Sequence, residues 1–397
     1  MAELFNFGPA DIPKEPLLAR RILFLNTDYP SFLAAHYARS PGLALRDDAA
    51  QMGSRNESLF GTADFMSAPM RRLGQEAIDI HVNNRPLQEA WMAGAGQGSN
   101  GWWMRAVLPW APPRIRPRLV RLDPRHPRFA TILKAQIAAF QPTILYNHDP
   151  SEISADLLRD LMPSGCVLVG QIAAPRNPAI NWQAYDLLIS SLPNFVTAFR
   201  REGLKAEYLP LAFEPGVWRS IPNIGNDIPL SFVGSISPVH RERLTFLETV
   251  AANVDLAIWG DGADRLPVES LLRKGHHGGA WGPAMFQILR CSQLTLNRHI
   301  DISENYANNM RLFEATGMGA CLITDWKENL ADLFEPGKEV VAYRSTEECI
   351  DLVRYFSRND GAREKIAMAG RVRCHNDHNY EKRMGELLAI FERVFGS

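Results

Sequence analysis

The chain has 397 residues, 46% of them apolar and 22% charged. This ordinary globular composition excludes a disordered, collagen-like or disulfide-stapled protein, and the length exceeds what one hydrophobic core organises. With 43 basic and 44 acidic residues the formal net charge is −1, so no overall field gathers nucleic acid, and any anionic ligand must be held locally. Five cysteines (Cys166, Cys291, Cys321, Cys349 and Cys374) lie far apart without a C-x-x-C pair, which reads as reduced thiols in a cytoplasmic protein.

The opening stretch MAELFNFGPADIPKEP carries acids and prolines where an export signal needs a basic start and an apolar run, and no later stretch reaches the 18 or so uninterrupted apolar residues of a membrane span. Neither export nor membrane insertion is expected. Short apolar runs then predict strands at 21–26 and 77–82. Between 102 and 129 lie seven arginines (Arg105, Arg114, Arg116, Arg118, Arg121, Arg125 and Arg128), six prolines and one acid, Asp123, led in by Trp102, Trp103 and Trp110. A proline-broken stretch cannot be one amphipathic helix, so an extended excursion is expected. Its arginines are either solvated or in contact with an anionic acceptor or a membrane surface.

Further strands are predicted at 143–147, 166–170, 186–190 and 206–211. Their lengths and helix-compatible spacers suit buried parallel strands with crossover helices, a Rossmann-like domain over 1–225. Prolines and glycines at 213–226 have the turn chemistry of a linker. The pattern restarts at 229–235, 254–260, 294–297, 320–324 and 339–343, predicting a second doubly wound domain over 226–378. Met384, Leu387, Leu388, Ile390, Phe391 and Val394 fall at helical spacing and predict a final helix within 379–397.

The most informative stretch is NMRLFEATGMGACLITD, 309–325. Leu312, Phe313 and Ala315 suit the buried side of a short helix, Gly317 and Gly319 end it, and the next strand follows. A helix start at the mouth of such a sheet points free N–H groups at a phosphate, with Asn309 and Arg311 as added donors. Glu314 sits alone in this apolar turn, where it could accept the hydroxyls of a ribose; alternatively Arg311 and Glu314 form an ordinary i,i+3 ion pair.

This block resembles the donor-binding core of GT-B glycosyltransferases, in particular the CgeB-like families related to glycosyl transferases group 1. Their pattern N-x-R-x-F-E-A-x-x-x-G before a strand ending in T-D is matched by Asn309, Arg311, Phe313, Glu314, Ala315, Gly319, Thr324 and Asp325. Upstream, 230–244 resembles the first strand and helix of that donor domain. The resemblance implies that Gly234, Ser235, His240 and Arg241 approach the donor diphosphate and that loops bearing Gly260 and Trp281 hold the nucleobase; Arg241 could instead lie on a solvated helix face, and His299 either faces phosphate or is a structural histidine at a strand end. It implies a GT-B fold, two Rossmann-like doubly wound domains facing each other across a cleft, with a nucleotide sugar as donor and a glycan or lipid-linked acceptor. One departure stands out: retaining relatives often carry a glutamate eight residues before the ribose-binding one, and Tyr306 occupies that place.

No D-x-D pair occurs anywhere in the chain, so a metal held under the diphosphate is not expected and no cofactor is implied. Cys374, His375 and His378 are expected in a solvated helical tail rather than in a metal site. Reactive groups should follow first-domain strands, which selects Asp28 and the pair His148 and Asp149. In an inverting reaction one of them deprotonates the acceptor; in a retaining one they position it. Asp28 could equally cap the following helix, and the other two could bond their own loop. Rival readings are a sugar-nucleotide epimerase of the same architecture and a non-catalytic nucleotide-sugar-binding protein.

Overall fold

The computed structural model describes residues 19–96, 107–225, 227–236 and 241–396. The chain forms two compact units, Met1–Ser190 with Phe195–Leu209 and Met384–Ser397, and Ser191–Asn194 with Pro210–Arg383.

The first unit holds six strands, β1 (Arg21–Asn26), β2 (Glu76–His81), β3 (Ile144–Asn147), β4 (Val167–Gln171), β5 (Leu187–Ser190) and β6 (Ala206–Tyr208). They pair in parallel in the order β2-β1-β3-β4-β5-β6. Parallel neighbours cannot be joined by a tight hairpin, so helices return the chain and cover the sheet. That is why β3 and β5 read as unbroken apolar runs with every position buried. Leu23, Leu145 and Leu188 from the sheet pack with Phe129, Ile132 and Phe199 from the helices. Because β2 and β3 flank β1 on opposite sides, the winding reverses at β1, and a crevice is expected at the carboxyl ends there.

The segment 102–129 departs from the extended excursion read in the sequence. Arg116–Val120 is a short helix and Pro127–Phe140 a long one, each with proline in its first turn, where the missing N–H has no bond to make. Val120, Leu122 and Phe129 are buried. Trp102, Trp103 and Arg105 lie outside the described residues.

The second unit holds β7 (Ile228–Val233), β8 (Ala257–Trp259), β9 (Ser292–Asn297), β10 (Cys321–Asp325) and β11 (Val341–Tyr343), parallel throughout in the order β11-β10-β9-β7-β8. Here the winding reverses at β7. The units divide between Leu209 and Pro210, ahead of the stretch read as linker. The reason is packing: the Phe213 N–H donates to the His378 carbonyl at 2.8 Å. Its ring lies so close to Gly317 that a Cβ there would stand 2.5 Å away. The final helix, Tyr380–Phe395, forms as expected, and from Met384 onward it counts with the first unit. Within that unit its Phe391 meets Tyr146 and its Arg393 pairs with Glu207 at 2.9 Å.

Cys374, His375 and His378 are not a solvated tail. The helix Asp360–Asp377 packs behind Met310–Gly317: the Cys374 thiol donates to the Phe313 carbonyl at 3.3 Å, and His375 Nε2 lies 2.9 Å from the Gly317 carbonyl. Burial lowers the affinity of His378 for a proton to a pKa of about 4. Among the described residues no helix is long and apolar enough to cross a membrane.

The closest approach in this buttress is at Gly370, where a Cβ would lie 2.3 Å from the Glu339 carbonyl oxygen. Backbone cannot yield as a flexible side chain does, so Gly370→Ala should destabilise the fold by about 1–3 kcal/mol in urea unfolding.

Candidate functional site

In the second unit the carboxyl ends of β7 and β9 open onto the start of the Met310–Gly317 helix. Two glycine turns shape the β7 side. Gly260 has φ 147°, and a Cβ on it would fall 1.9 Å from the Gly234 carbonyl oxygen; Gly262 has φ 104° and stands in the same relation to Ile236. Only glycine permits both the left-handed backbone and this approach. The two loops are stitched by Gly234 N–H to the Trp259 carbonyl at 2.9 Å and Ile236 N–H to the Asp261 carbonyl at 2.8 Å. Gly260 is thereby required by backbone packing alone.

Arg311 reaches this turn. Its Nε donates to the Val233 carbonyl at 3.0 Å, and its Nη1 lies 3.0 Å from Glu314 Oε2 without meeting hydrogen-bond alignment. Both side chains are largely enclosed. Burial pushes the Glu314 carboxyl up, with Arg311 opposing, and pulls the Arg311 guanidinium down, with Glu314 opposing. An enclosed pair of this kind costs desolvation and is retained where the charges serve something else or enforce one arrangement. Asn309, read from the sequence as a phosphate donor, is engaged otherwise. Its Oδ1 accepts from Leu312 N–H at 3.0 Å as the helix cap, and its Nδ2 donates to Asn297 Oδ1 at 2.8 Å.

His299 follows β9 with its side chain fully buried. Its Nδ1 lies 2.7 Å from Asp325 Oδ1, which also accepts the His299 N–H at 3.0 Å. The carboxylate fixes the proton on Nδ1, and Nε2 is left buried with no partner. Burial raises the Asp325 carboxyl, but the hydrogen bonds and charge of His299 outweigh it and hold the group below its ordinary value. Lys327 ties the surrounding loops, with Nζ 3.5 Å from Asp325 and donating to the Glu304 carbonyl at 2.6 Å. Glu304 adopts a left-handed φ of 48°, unusual for a residue with a side chain.

The remaining sequence candidates are less committed. Ser235 and Arg241 are exposed, and Arg243 Nη2 donates to the Ser235 carbonyl at 2.6 Å. Trp281 is half-buried just before the Pro283–Cys291 helix. His240 lies outside the described residues.

In the first unit the residues at the ends of β1, β2 and β3 converge around Asp28. Its side chain is wholly buried, with Oδ1 2.6 Å from Arg55 Nη2 and Oδ2 3.1 Å from His81 Nδ1. Burial alone would raise this carboxyl, but His81 and Arg55 together hold it well below the carboxylate range. A carboxylate so stabilised in its charged form binds a proton weakly, and it caps no helix, since the Pro30–Arg39 helix has no side-chain cap. Asp28 instead positions Arg55, whose guanidinium also donates to the Phe60 carbonyl at 2.9 Å and lies against the Phe32 and Phe60 rings. Arg55 and His81 escaped sequence reading: His81 ends an apolar strand, and Arg55 lies 27 residues from its partner.

Asp149 is bound into its loop. Oδ2 accepts the Thr27 hydroxyl at 2.6 Å, and Oδ1 accepts the N–H groups of Ser151 and Glu152, each at 3.2 Å. His148 differs. Its backbone N–H donates to the Leu25 carbonyl at 3.0 Å and its ring packs edge-on to Tyr146 and Phe24, yet Nε2 is buried without a partner. Burial, with the positive potential of His81, lowers its pKa to about 3, so the imidazole is neutral at pH 7. The loop is fixed from beneath by Asn147, whose Nδ2 donates to the Tyr185 hydroxyl at 2.9 Å. Among the described residues no three His, Cys, Asp or Glu side chains gather as a metal site.

Residues 241–389 match the family model described as "Glycosyl transferase-like". No curated protein sequence matches the chain. Several solved structures share its fold over nearly its whole length. They include sucrose-phosphate synthase from Thermosynechococcus elongatus, at TM-score 0.59 and 12% identity, covering 95% of this chain and 99% of that one. AviGT4, a glycosyltransferase of avilamycin A biosynthesis, aligns at TM-score 0.54 and 15% identity over 96% and 99%. HepE from Anabaena, solved with UDP-glucose, aligns at TM-score 0.53 and 10% identity over 95% and 100%.

Removing Arg55 would strand the Asp28 carboxylate, so Arg55→Met should cost about 3–5 kcal/mol in urea unfolding at pH 7. Since the folded pKa of Asp28 is depressed, its contribution is present above the unfolded value of about 3.9 and lost as pH falls below it. Acid unfolding of Asp28→Asn should lack that part of the slope.

Proposed function

We propose that this chain, a glycosyltransferase of GT-B architecture with a glycosyl transferase-like domain at 241–389, takes a sugar from a nucleotide sugar bound by its second unit. The acceptor is a hydroxyl of a glycan or lipid-linked molecule, and no metal takes part. The observation that carries the reading is the constellation at the carboxyl ends of β7 and β9: enclosed Arg311 and Glu314 beside the glycine turns, and His299 with its unpartnered Nε2. The UDP-glucose in HepE supports a nucleoside diphosphate donor.

In this reading Glu314 accepts the ribose hydroxyls. Arg311, the first N–H groups of the Met310–Gly317 helix and His299, donating from Nε2 as an imidazolium whose Nδ1–H is held by Asp325, meet the diphosphate as its negative charge grows on departure. Asp325 positions His299 rather than touching the donor. In the first unit His148 is the group left to meet the acceptor, through Nε2, with Asp149 holding its loop and Asp28 holding Arg55 and His81. The buried, unbridged thiols of all five cysteines fit a cytoplasmic enzyme.

Glu314→Ala should weaken nucleoside diphosphate binding by about 1.5–3 kcal/mol in calorimetry while the protein stays folded. His148→Ala should lower the rate of sugar transfer or donor hydrolysis by about 10²- to 10⁴-fold with little change in donor affinity. Activity should persist in EDTA; loss restored by manganese or magnesium refutes the metal-free part. Calorimetry that finds no nucleoside diphosphate bound by the parental protein refutes the donor site.

A further inference from the structure

We propose that the segment 107–118 of the first unit docks the protein onto an anionic lipid bilayer. The segment is held inward by Leu108, Ala111 and, just beyond it, Val120, all buried, and by the Leu122 N–H, which donates to the Asn83 carbonyl at 2.8 Å. With those anchors fixed, the remaining apolar side chains face solvent: Trp110 is 84% exposed, Ile115 49% and Val107 44%. A tryptophan so exposed on a well-anchored turn is a presented group, and indole favours the boundary between water and lipid.

Charge supplies the second, independent observation. Arg114 and Arg118 are exposed and make no ion pair among the described residues, and Arg116 bonds only the Ala111 carbonyl, at 3.1 Å. No acid occurs from 107 to 122. By contrast, Arg125, exposed a few residues further on, is paired with Asp123 at 2.8 Å. Unpaired guanidinium groups flanking exposed Trp, Ile and Val match a surface with negative headgroups over an apolar interior. Nucleic acid would reward the arginines and the indole but leave Ile115 and Val107 in water.

The test is sedimentation of the full chain with sucrose-loaded vesicles, either phosphatidylcholine alone or phosphatidylcholine mixed with phosphatidylglycerol. Binding is expected to the anionic vesicles, to be much weaker to the neutral ones, and to fall with salt. Trp110→Ala and the double variant Arg114→Glu/Arg118→Glu should each lower the bound fraction by about tenfold or more, with unchanged thermal melting. Absence of binding to anionic vesicles overturns the proposal, as does binding that both variants retain, or a preference for single-stranded RNA over the vesicles. No donor or acceptor enters this measurement, so its outcome is independent of the transfer reaction.

Discussion

A guanidinium enclosed at the carboxyl edge of a parallel sheet must be neutralised or hydrogen-bonded, and Arg311 is answered from two sides. The Val233 carbonyl at the end of β7 takes its Nε, and Glu314, one turn along the same helix, lies beside its Nη1. These contacts couple the helix register to the strand end. The helix is in turn seated by Asn309 bonding Asn297, and backed by Cys374 and His375 from the helix behind it. The imperfect alignment of Arg311 with Glu314 leaves the guanidinium with unused hydrogen-bonding capacity, which is what recognition of a growing negative charge requires.

The same economy recurs in each unit. Asp325 orients His299, and Asp28 neutralises Arg55 beside His81; in both cases a carboxylate, half-buried in Asp325 and fully buried in Asp28, holds a cation or imidazole in place, and its own proton affinity is depressed by doing so. Positioning and proton transfer are competing uses of a carboxylate. A group stabilised in its charged form by close cationic partners is poorly suited to remove a proton, and Asp28 is paired in this way with Arg55 and His81.

Three imidazoles at strand ends have a buried Nε2 without a partner, His81, His148 and His299, and of these His81 faces Asp28 through its Nδ1. Asn147, Asp149, Asn297 and Asn309 are all engaged in fixing loops and helix starts. Buried polar atoms without partners cost free energy, and their presence at the carboxyl ends of β3 and β9, beside the strands where the winding reverses, is where a doubly wound fold admits ligands.

Much of this was legible from local sequence. Buried parallel strands must be short, apolar and punctuated, so the eleven among the described residues could be located, and the helix with its glycine stop at 309–319 could be read directly. What the chain could not reveal alone were partners remote in sequence. Arg55 and His81 meet Asp28 only because β2 lies beside β1 and the Asp48–Glu57 helix folds over their ends. Likewise Asn309 is drawn to Asn297 across the sheet mouth, and Phe213 leaves the apparent linker to fill the space at Gly317. Periodicity and turn chemistry are properties of neighbouring residues, and they determined the elements. Whether a given carboxylate is a base, a cap or a brace depends on desolvation and on charges brought from distant segments, and only the tertiary structure decided it.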